Sequence, residues 1–542
     1  MVAPMKSALR QTAAASADDS TNQSGGHSGG AVARVAASTR PARGWFTARS
    51  VAKAVRGEVV QGGATGNGVS TDTRRDCTGQ VFVALRGDNH DGHRYLDQAL
   101  AQGAVGLVVD RQFELEPFLQ AVMRAGRVSG RREPFLVQVA DTGQALMDLA
   151  AEHRRRHGAK VIGITGSCGK TSTKEWLGAV LASAMPTVRS PGSYNNQIGV
   201  PLTLFQLQPE TRAAVVEIGT NAPGEIAQLT AVAQPDIGIV TCVAPAHLEG
   251  LGSLDGVARE KAALVQGLPE DGLCVLNGDD AACRAMAELT SADVEFISVH
   301  RETDWFATDV QFHALGTTFL LQGLRPVTLP RLGTHNVYNA LAVIAAAHRL
   351  GVPEEVILQQ LGCVPSAARR LEPKTAGGVT IFDDTYNMNP ESARSALQAM
   401  AGLRSGELDA SGQRGRSIAV FGAMLELGAD SVPLHRRLGE QVFASGQEYL
   451  ICVGTDARPI AEGALAAGMD AASVAFADDI HAAQNMLRGL LRPGDRLLCK
   501  ASRRVALDRL VDRLLVDLSE GDAGKSGDGQ ADDGQAAEST NQ

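Results

Sequence analysis

A chain of 542 residues is more than one hydrophobic core organises and, at roughly 150 residues per domain, points to three or four domains. Hydrophobic residues make up 44% and charged residues 20%, and no apolar run approaches the ~20 residues that cross a bilayer, so membrane insertion is not expected. Lys plus Arg number 51 against 60 for Asp plus Glu, and the net charge of -9 repels polyanions, which sets nucleic acid aside but leaves room for a small anionic substrate in a local basic pocket. Residues 1–43 are rich in Ala, Ser, Gly and Thr, lack the apolar stretch of a secretory signal, and carry Asp18 and Asp19, which disfavour a transit peptide. A disordered N-terminal extension is expected there. The 8 cysteines are scattered without a CxxC pair and read as reduced, mostly buried thiols of a cytosolic protein.

From Trp45 the composition becomes globular. Val81–Leu85 and Gly106–Val109 are short apolar runs with a helical stretch, Tyr95–Gln102, between them, an α/β unit. A helix is predicted over Gly143–His157, its basic end Arg154–Arg156 read as solvated beside the negative pole of the helix dipole. Lys160–Thr165 is a buried-strand pattern, followed by a Gly-rich turn and a helix from Lys170 to about Ala184. Further strands are predicted at Ala213–Ile218, Asp236–Val240 and Leu273–Leu276, with helices between them, which is the pattern of a parallel sheet covered on both faces. A more polar, β-rich segment spans about Val294–Pro330, and an alanine-rich helix follows from Asn336 to Leu350. A second alternation, through strands at Val379–Asp383, Ser417–Phe421, Tyr449–Val453 and Arg496–Lys500, predicts another doubly wound domain. Residues 519–542 hold six acidic side chains, one lysine and no large apolar residue, and a disordered tail is expected.

The strongest single motif is Gly166-Ser167-Cys168-Gly169-Lys170-Thr171-Ser172 between a strand and a helix. Its glycines let backbone N–H groups turn toward phosphate, the helix N-terminus adds positive potential, Lys170 can reach terminal phosphates and Thr171 can hold magnesium. ATP binding is therefore expected. The standard pattern wants glycine five residues before the Gly-Lys pair, and that position is Ile164, so this is a variant loop; the bland alternative is an ordinary strand-to-helix turn. Ligands of such sheets gather at the carboxyl ends of strands, where Glu217 is a magnesium candidate, with a cap or surface charge as the alternative. His247, after the next strand, could ligate a second metal or be merely structural. Lys261 lies on the following helix, where a solvated lysine is the default.

In their order, these residues resemble the Mur ligase family over about residues 45–517. The resemblance implies an α/β fold in three domains: a UDP-sugar-binding domain over 44–142, a central ATP-binding, P-loop parallel-sheet domain over 143–362 and a C-terminal Rossmann-like amine-donor domain over 363–518. Ser70, Thr71, Asp72, Thr73 and Arg74, and the segment Phe82–His93 with Asn89 and His90, look like UDP-sugar-binding segments; read alone they are polar loops beside a strand. Tyr194–Pro201, with Asn195 and Asn196, and Glu217–Asn221 continue the match. Lys261 falls where the family carries a carbamylated lysine, a carboxylate-like oxygen ligand, so Lys170, His247 and Lys261 are implied as catalytic and Thr171, Glu217, His247 and Lys261 as metal ligands. Gly333–Ala340 resembles an adenine-side helix with Asn339 at the base, Asn336 equally readable as a cap. Arg370 matches a residue reaching ATP, Asp384 one at the ribose, and Tyr386, Asn387 and Asn389 a segment closing over the incoming dipeptide. The segment Lys500–Arg503 resembles a further motif. The chain departs from the pattern at Arg369, where glycine is usual, at Ala423, where Asp is usual, and at Met388 and Ala501, which leaves ATP chemistry untouched and the dipeptide contacts less defined.

The implied activity is ATP-dependent ligation of D-alanyl-D-alanine to UDP-N-acetylmuramoyl-tripeptide through an acyl phosphate, giving the pentapeptide precursor of peptidoglycan, with ATP and Mg2+ as cofactors, in the cytoplasm and as a monomer. The Asp-Asn-Pro-Arg signature of the diaminopimelate-adding sister enzyme is absent. Another ATP-dependent amide ligase of the family, or a nucleotide-binding scaffold without ligation, are the alternatives. The second is opposed by the joint presence of Lys170, Thr171, Glu217, His247 and Lys261.

Overall fold

The computed structural model of the chain describes residues 44–87, 89–116, 118, 120, 133–313, 316–365, 368–403 and 415–525. The N-terminal extension and the acidic end beyond Lys525 lie outside the described residues. Among those described, the strands form sheets of five, nine and six strands.

The first sheet comprises β1 (Glu58–Gln61), β2 (Gly68–Ser70), β3 (Gln80–Val83), β4 (Gly106–Asp110) and β5 (Phe135–Val139), in the order β1-β5-β4-β3-β2. Only β1 pairs antiparallel; the rest are parallel and carry the buried valines that such strands need on both faces. Its core packs Phe46, Val81, Val108 and Phe135 against Leu146 and Leu149 of the helix Thr142–Arg155. Asp141 caps that helix by accepting from the Gln144 N–H at 2.9 Å. Its basic end is not uniformly solvated. Arg155 and Arg156 pair with Glu152 at the surface, but Arg154 is half-buried against Asp236 at 3.0 Å and donates to the Ala233 and Gln234 carbonyls, because the helix Glu225–Ala233 ends there with unsatisfied acceptors.

The central sheet comprises β6 (Lys160–Thr165), β7 (Thr187–Arg189), β8 (Ala213–Glu217), β9 (Ile237–Val240), β10 (Leu273–Asn277), β11 (Asp293–Ser298), β12 (Trp305–His313), β13 (Gly316–Leu321) and β14 (Arg325–Leu329). Its order is β14-β13-β12-β11-β10-β9-β6-β8-β7, parallel from β7 to β12 and closed by two antiparallel pairs. The β-rich stretch after residue 293 thus extends the same sheet. The helix Thr334–Arg349 is buried at Val337 and from Asn339 through Ala347 because its alanines let it lie close to the helix Lys170–Ala184 in one apolar core.

The third sheet comprises β15 (Glu372–Ala376), β16 (Val379–Asp384), β17 (Ser417–Phe421), β18 (Tyr449–Val453), β19 (Val474–Ala477) and β20 (Arg496–Lys500), in the order β15-β16-β20-β17-β18-β19, parallel except for the β15 edge. Its last helix, Asp508–Lys525, runs past Ser519 into the stretch whose composition led to the expectation of disorder. The cysteines are free; Cys77, Cys274, Cys283, Cys452 and Cys499 are buried and Cys363 is exposed.

Candidate functional site

The turn after β6 is dictated by close approach. A Cβ on Gly166 (φ 144°) would lie 1.8 Å from the Thr241 hydroxyl, and one on Gly169 (φ 83°) 2.5 Å from Asn339 Oδ1. The loop is pinned to the end of β9: the Ser167 N–H donates to the Cys242 carbonyl at 2.9 Å, and the Thr241 hydroxyl donates to the Cys168 carbonyl. Ile164, where the standard pattern has glycine, lies inside β6 and is fully buried, so the turn starts only at Gly166. The helix that follows opens at Lys170 with no side-chain cap and no acidic residue in its first turn, which leaves its N-terminal N–H groups and dipole for an anion. Lys170 Nζ donates to the Gly166 carbonyl at 2.5 Å. The hydrogen-bonded Cys242 sulfur, and then burial, hold the Cys168 thiol well above its ordinary pKa, so the loop contributes backbone donors and no thiolate.

Next to the loop, the Thr171 hydroxyl donates to Glu217 at 3.0 Å and accepts from Arg370 at 3.0 Å, while Asn195 donates to the other Glu217 oxygen at 2.8 Å. Glu217 ends β8, is 1% exposed and caps no helix. Thr171 and Glu217 form a hard oxygen pair of the kind that binds magnesium together with substrate phosphates and water. His247 stands on the same cavity wall in a left-handed conformation, φ 54°, with Nδ1 2.6 Å from Glu426. Burial, and then the Lys170 charge, lower its pKa. Lys261 is not solvated. It is 2% exposed, lies outside the cavity lining, and burial followed by the Lys170 charge lowers its pKa to about 7. Among the described residues no three His, Cys, Asp or Glu side chains converge as a metal cage.

Thr171, Asn195, Glu217, His247, Arg370 and Glu426 line a cavity of about 1030 Å³ walled by loops of the central and third sheets. On the central side, Asn339 accepts from Thr173 at 3.1 Å and donates to Asn336 at 3.1 Å, which fixes its amide. Asn336 is not a cap: the cap position is Gly333, and Asn336 donates back to the Leu332 carbonyl at 2.8 Å. On the other side, Arg370 stacks 4.2 Å over Tyr386, whose hydroxyl meets Ser193 at 2.5 Å. Lys500 holds Asp384 at 2.6 Å and the Asn387 carbonyl at 3.0 Å. Burial nevertheless raises the Asp384 carboxyl. Asn389 donates to the Ser167 carbonyl at 3.2 Å and accepts from the Ser392 N–H at 2.8 Å, so it ties the phosphate loop to the helix Pro390–Leu403. Asn196 accepts from the Ile198 N–H at 3.2 Å and the Gly199 N–H at 2.9 Å, which turns the chain into the helix Gly199–Leu204.

Ser70, Thr71, Asp72, Thr73, Arg74, Asn89 and His90 are not among the cavity-lining residues. They sit at the ends of β2 and β3, where Arg74 grips Asp72 through two bonds of 2.9 Å and holds its carboxyl down at about 2. Missing from the sequence reading are Ser193, Glu426, and Asp279, which accepts from Tyr338 at 2.7 Å and from Ser298 at 2.8 Å. The run Asn277-Gly278-Asp279-Asp280 at the end of β10 was the available signal for the last of these.

Residues 164–347 match the family model described as Mur ligase middle domain, and residues 369–503 the one described as Mur ligase, glutamate ligase domain. The UDP-N-acetylmuramoyl-tripeptide--D-alanyl-D-alanine ligase of Escherichia coli K12 is 36% identical over 75% of this chain and 85% of that protein. The protein of the same name from Bacillus subtilis 168 is 32% identical over 83% of this chain and 93% of its own length. Crystal structure I of MurF from Acinetobacter baumannii superposes with a TM-score of 0.76 at 30% identity, over 87% of this chain and 99% of that one. The MurF ligase from Thermotoga maritima in complex with ADP does so with a TM-score of 0.70 at 26% identity, over 84% of this chain and 98% of that one. With the phosphate loop, the opposed third-sheet wall and these likenesses together, the chain belongs to the Mur ligase family.

Proposed function

We propose that the chain is the ATP-dependent ligase that joins D-alanyl-D-alanine to UDP-N-acetylmuramoyl-tripeptide, yielding ADP, phosphate and the pentapeptide precursor of peptidoglycan. The observation that carries this reading is the convergence, on one cavity, of residues Ser167–Ser172 of the loop with Glu217, Arg370, Asp384, Tyr386 and Lys500. The peptide carboxylate attacks the γ-phosphorus of ATP, the bond to the β–γ bridging oxygen breaks, and ADP leaves. The dipeptide amine then attacks the acyl phosphate, phosphate departs, and the amine's spare proton passes to solvent or a nearby base.

Carboxylate and triphosphate repel, so the site must supply positive potential where charge shifts toward the leaving ADP. Lys170, the loop N–H groups and Arg370 supply it in a site already organised by the Thr171 and Asn389 bonds. Asn339 reads the base side and Asp384 the ribose. Magnesium, when bound by Thr171 and Glu217, with His247 and Lys261 for a second ion, adds charge neutralisation on the phosphates. Lys261 suits carbamylation because an amine with a pKa near about 7 is partly neutral at physiological pH, and only a neutral amine attacks carbon dioxide. Intact-mass measurement under bicarbonate is expected to show the adduct on Lys261; an unmodified lysine with full activity refutes it.

The partition follows as a proposal: residues 44–142 take the UDP-sugar through Ser70–Arg74, Asn89 and His90, residues 143–362 take ATP, and residues 363–518 take the dipeptide through Tyr386, Asn387 and Asn389. Each chain carries the whole cavity, which suits action as a monomer. Among the described residues no helix is long and apolar enough to cross a membrane. The deciding experiment follows ADP release with mass detection of products, from peptide nucleotide and magnesium ATP, with and without D-alanyl-D-alanine. Pentapeptide is expected only with the dipeptide, and Lys170→Ala is expected to abolish turnover while remaining folded. ADP release without that product redirects the amine donor, and substantial activity in Lys170→Ala refutes its phosphate role.

A further inference from the structure

The segment 422–428 leaves β17 and lines the cavity with Leu425, Glu426 and Leu427, and its geometry is over-determined. The Met424 N–H donates to His435 Nε2 at 2.8 Å, the Leu425 N–H to the Ser502 hydroxyl at 2.9 Å, and the Ser502 N–H back to the Ala423 carbonyl at 3.0 Å. Met424 and Leu427 are buried in the same apolar cluster as Leu248 and Leu251, which follow His247 in sequence. Between these anchors Glu426 is held at φ 65°, a left-handed conformation that costs a residue with a Cβ about 1–2 kcal/mol. Its backbone carbonyl accepts from the Glu249 N–H at 3.1 Å, and its carboxylate lies 2.6 Å from His247 Nδ1. Backbone strain that places one carboxylate on one ring nitrogen is the kind retained for a task.

We infer that Glu426 is a positioning residue for His247. A carboxylate only accepts, so the proton of the neutral imidazole must reside on Nδ1, and Nε2 is left with its lone pair for the cavity. The ring is also fixed in rotation by that contact, because the Glu426 main chain is itself tied to the backbone N–H of Glu249, two residues on from His247. His247 belongs to the central sheet's loops and Glu426 to the third sheet's. The histidine is therefore in its working tautomer and orientation only while the two walls are together. This inference rests on the proposed part of His247 in ligation.

Steady-state ligation by the full chain tests it, with Glu426→Ala, Glu426→Gln, His247→Ala and the double variant His247→Ala/Glu426→Ala. Glu426→Ala is expected to lower kcat by about tenfold or more with every KM within about twofold. Glu426→Gln, which keeps an acceptor oxygen, falls between it and wild type, and the double variant is no slower than His247→Ala alone. Should Glu426→Ala fail to fold, Glu426→Gly, whose backbone suits a φ of 65°, carries the same comparison. An unchanged kcat in Glu426→Ala, a double variant as slow as the product of the two single losses, or a loss confined to the KM of the dipeptide overturns the inference. Full turnover by His247→Ala refutes the proposed part of His247, and any loss in Glu426→Ala then cannot act through it. Absence of ligation by wild type instead refutes the ligase reading itself.

Discussion

Arg369 holds a left-handed conformation, φ 60°, at the place where the family resemblance leads one to expect glycine. Its guanidinium offsets that strain among three carboxylates, with Asp512 at 3.0 Å, Asp508 at 3.4 Å and Asp383 at 3.9 Å. The departure thus preserves the backbone turn that delivers Arg370 to Thr171. His153 shows what single residues hide from sequence reading. It accepts from the Trp45 indole at 3.1 Å and meets the Leu207 carbonyl at 3.2 Å, partners 108 and 54 residues away, and burial lowers its pKa from 6.5 to about 4. Since the unfolded chain binds this proton at higher pH than the native chain, stability is full above pH 6.5 and falls as pH drops toward about 4, with no further loss from this group below that. The full shift is worth on the order of 3 kcal/mol. Denaturant melts of wild type and His153→Gln between pH 7 and 4 check this: the wild type is expected to lose stability more steeply, and parallel curves would exclude the assignment. Residues of the phosphate loop were legible because phosphate chemistry demands them in one contiguous run. Glu426, Ser193 and Asp279 were not, because their meaning lies in partners that only folding supplies.

Among elements, legibility tracked burial. The strands β6, β17, β18 and β20 coincide with apolar runs in the sequence, since strands covered on both faces are apolar throughout. The edge strands β1 and β15 carry mostly polar or half-exposed residues and gave no such signal. Equally silent was the packing of the helices Ser431–Ala444 and Arg458–Ala466. A Cβ on Gly439 would sit 2.0 Å from the Ile460 carbonyl, and one on Gly463 2.0 Å from the Arg436 carbonyl, so the two backbones touch through their glycines. Gly463→Ala is expected to destabilise the third sheet by about 1–3 kcal/mol while leaving nucleotide affinity within about twofold. Calorimetry alongside nucleotide titration reads both, and an unaltered melting temperature would show that the helices simply move apart.

At the scale of the whole molecule, the cavity draws its walls from two of the three sheets, and the loops read as uridine-binding belong to the other. Hydrogen exchange separates them. ADP at about a hundred times its Kd, worth roughly 2.7 kcal/mol of protection, should slow exchange in residues 166–172 and 384–389 and leave β2–β4 at their free rates, whereas UDP should do the reverse. Protection of the same segment by both ligands would collapse the two sites into one. The three-sheet plan itself was legible from the two alternations of strand and helix; the contacts of Asn389 and Tyr386 across the cavity were not.

With the nucleotide held by these loops, as proposed above, and the cavity lined without them, the protein acts as a gauge. A substrate anchored at one end by its nucleotide presents its reacting carboxylate at a distance set by the peptide between them, so the chain measures length before it performs chemistry. A nucleotide bearing one amino acid too few would still dock, fall short of the phosphate loop, and occupy the enzyme as an inhibitor.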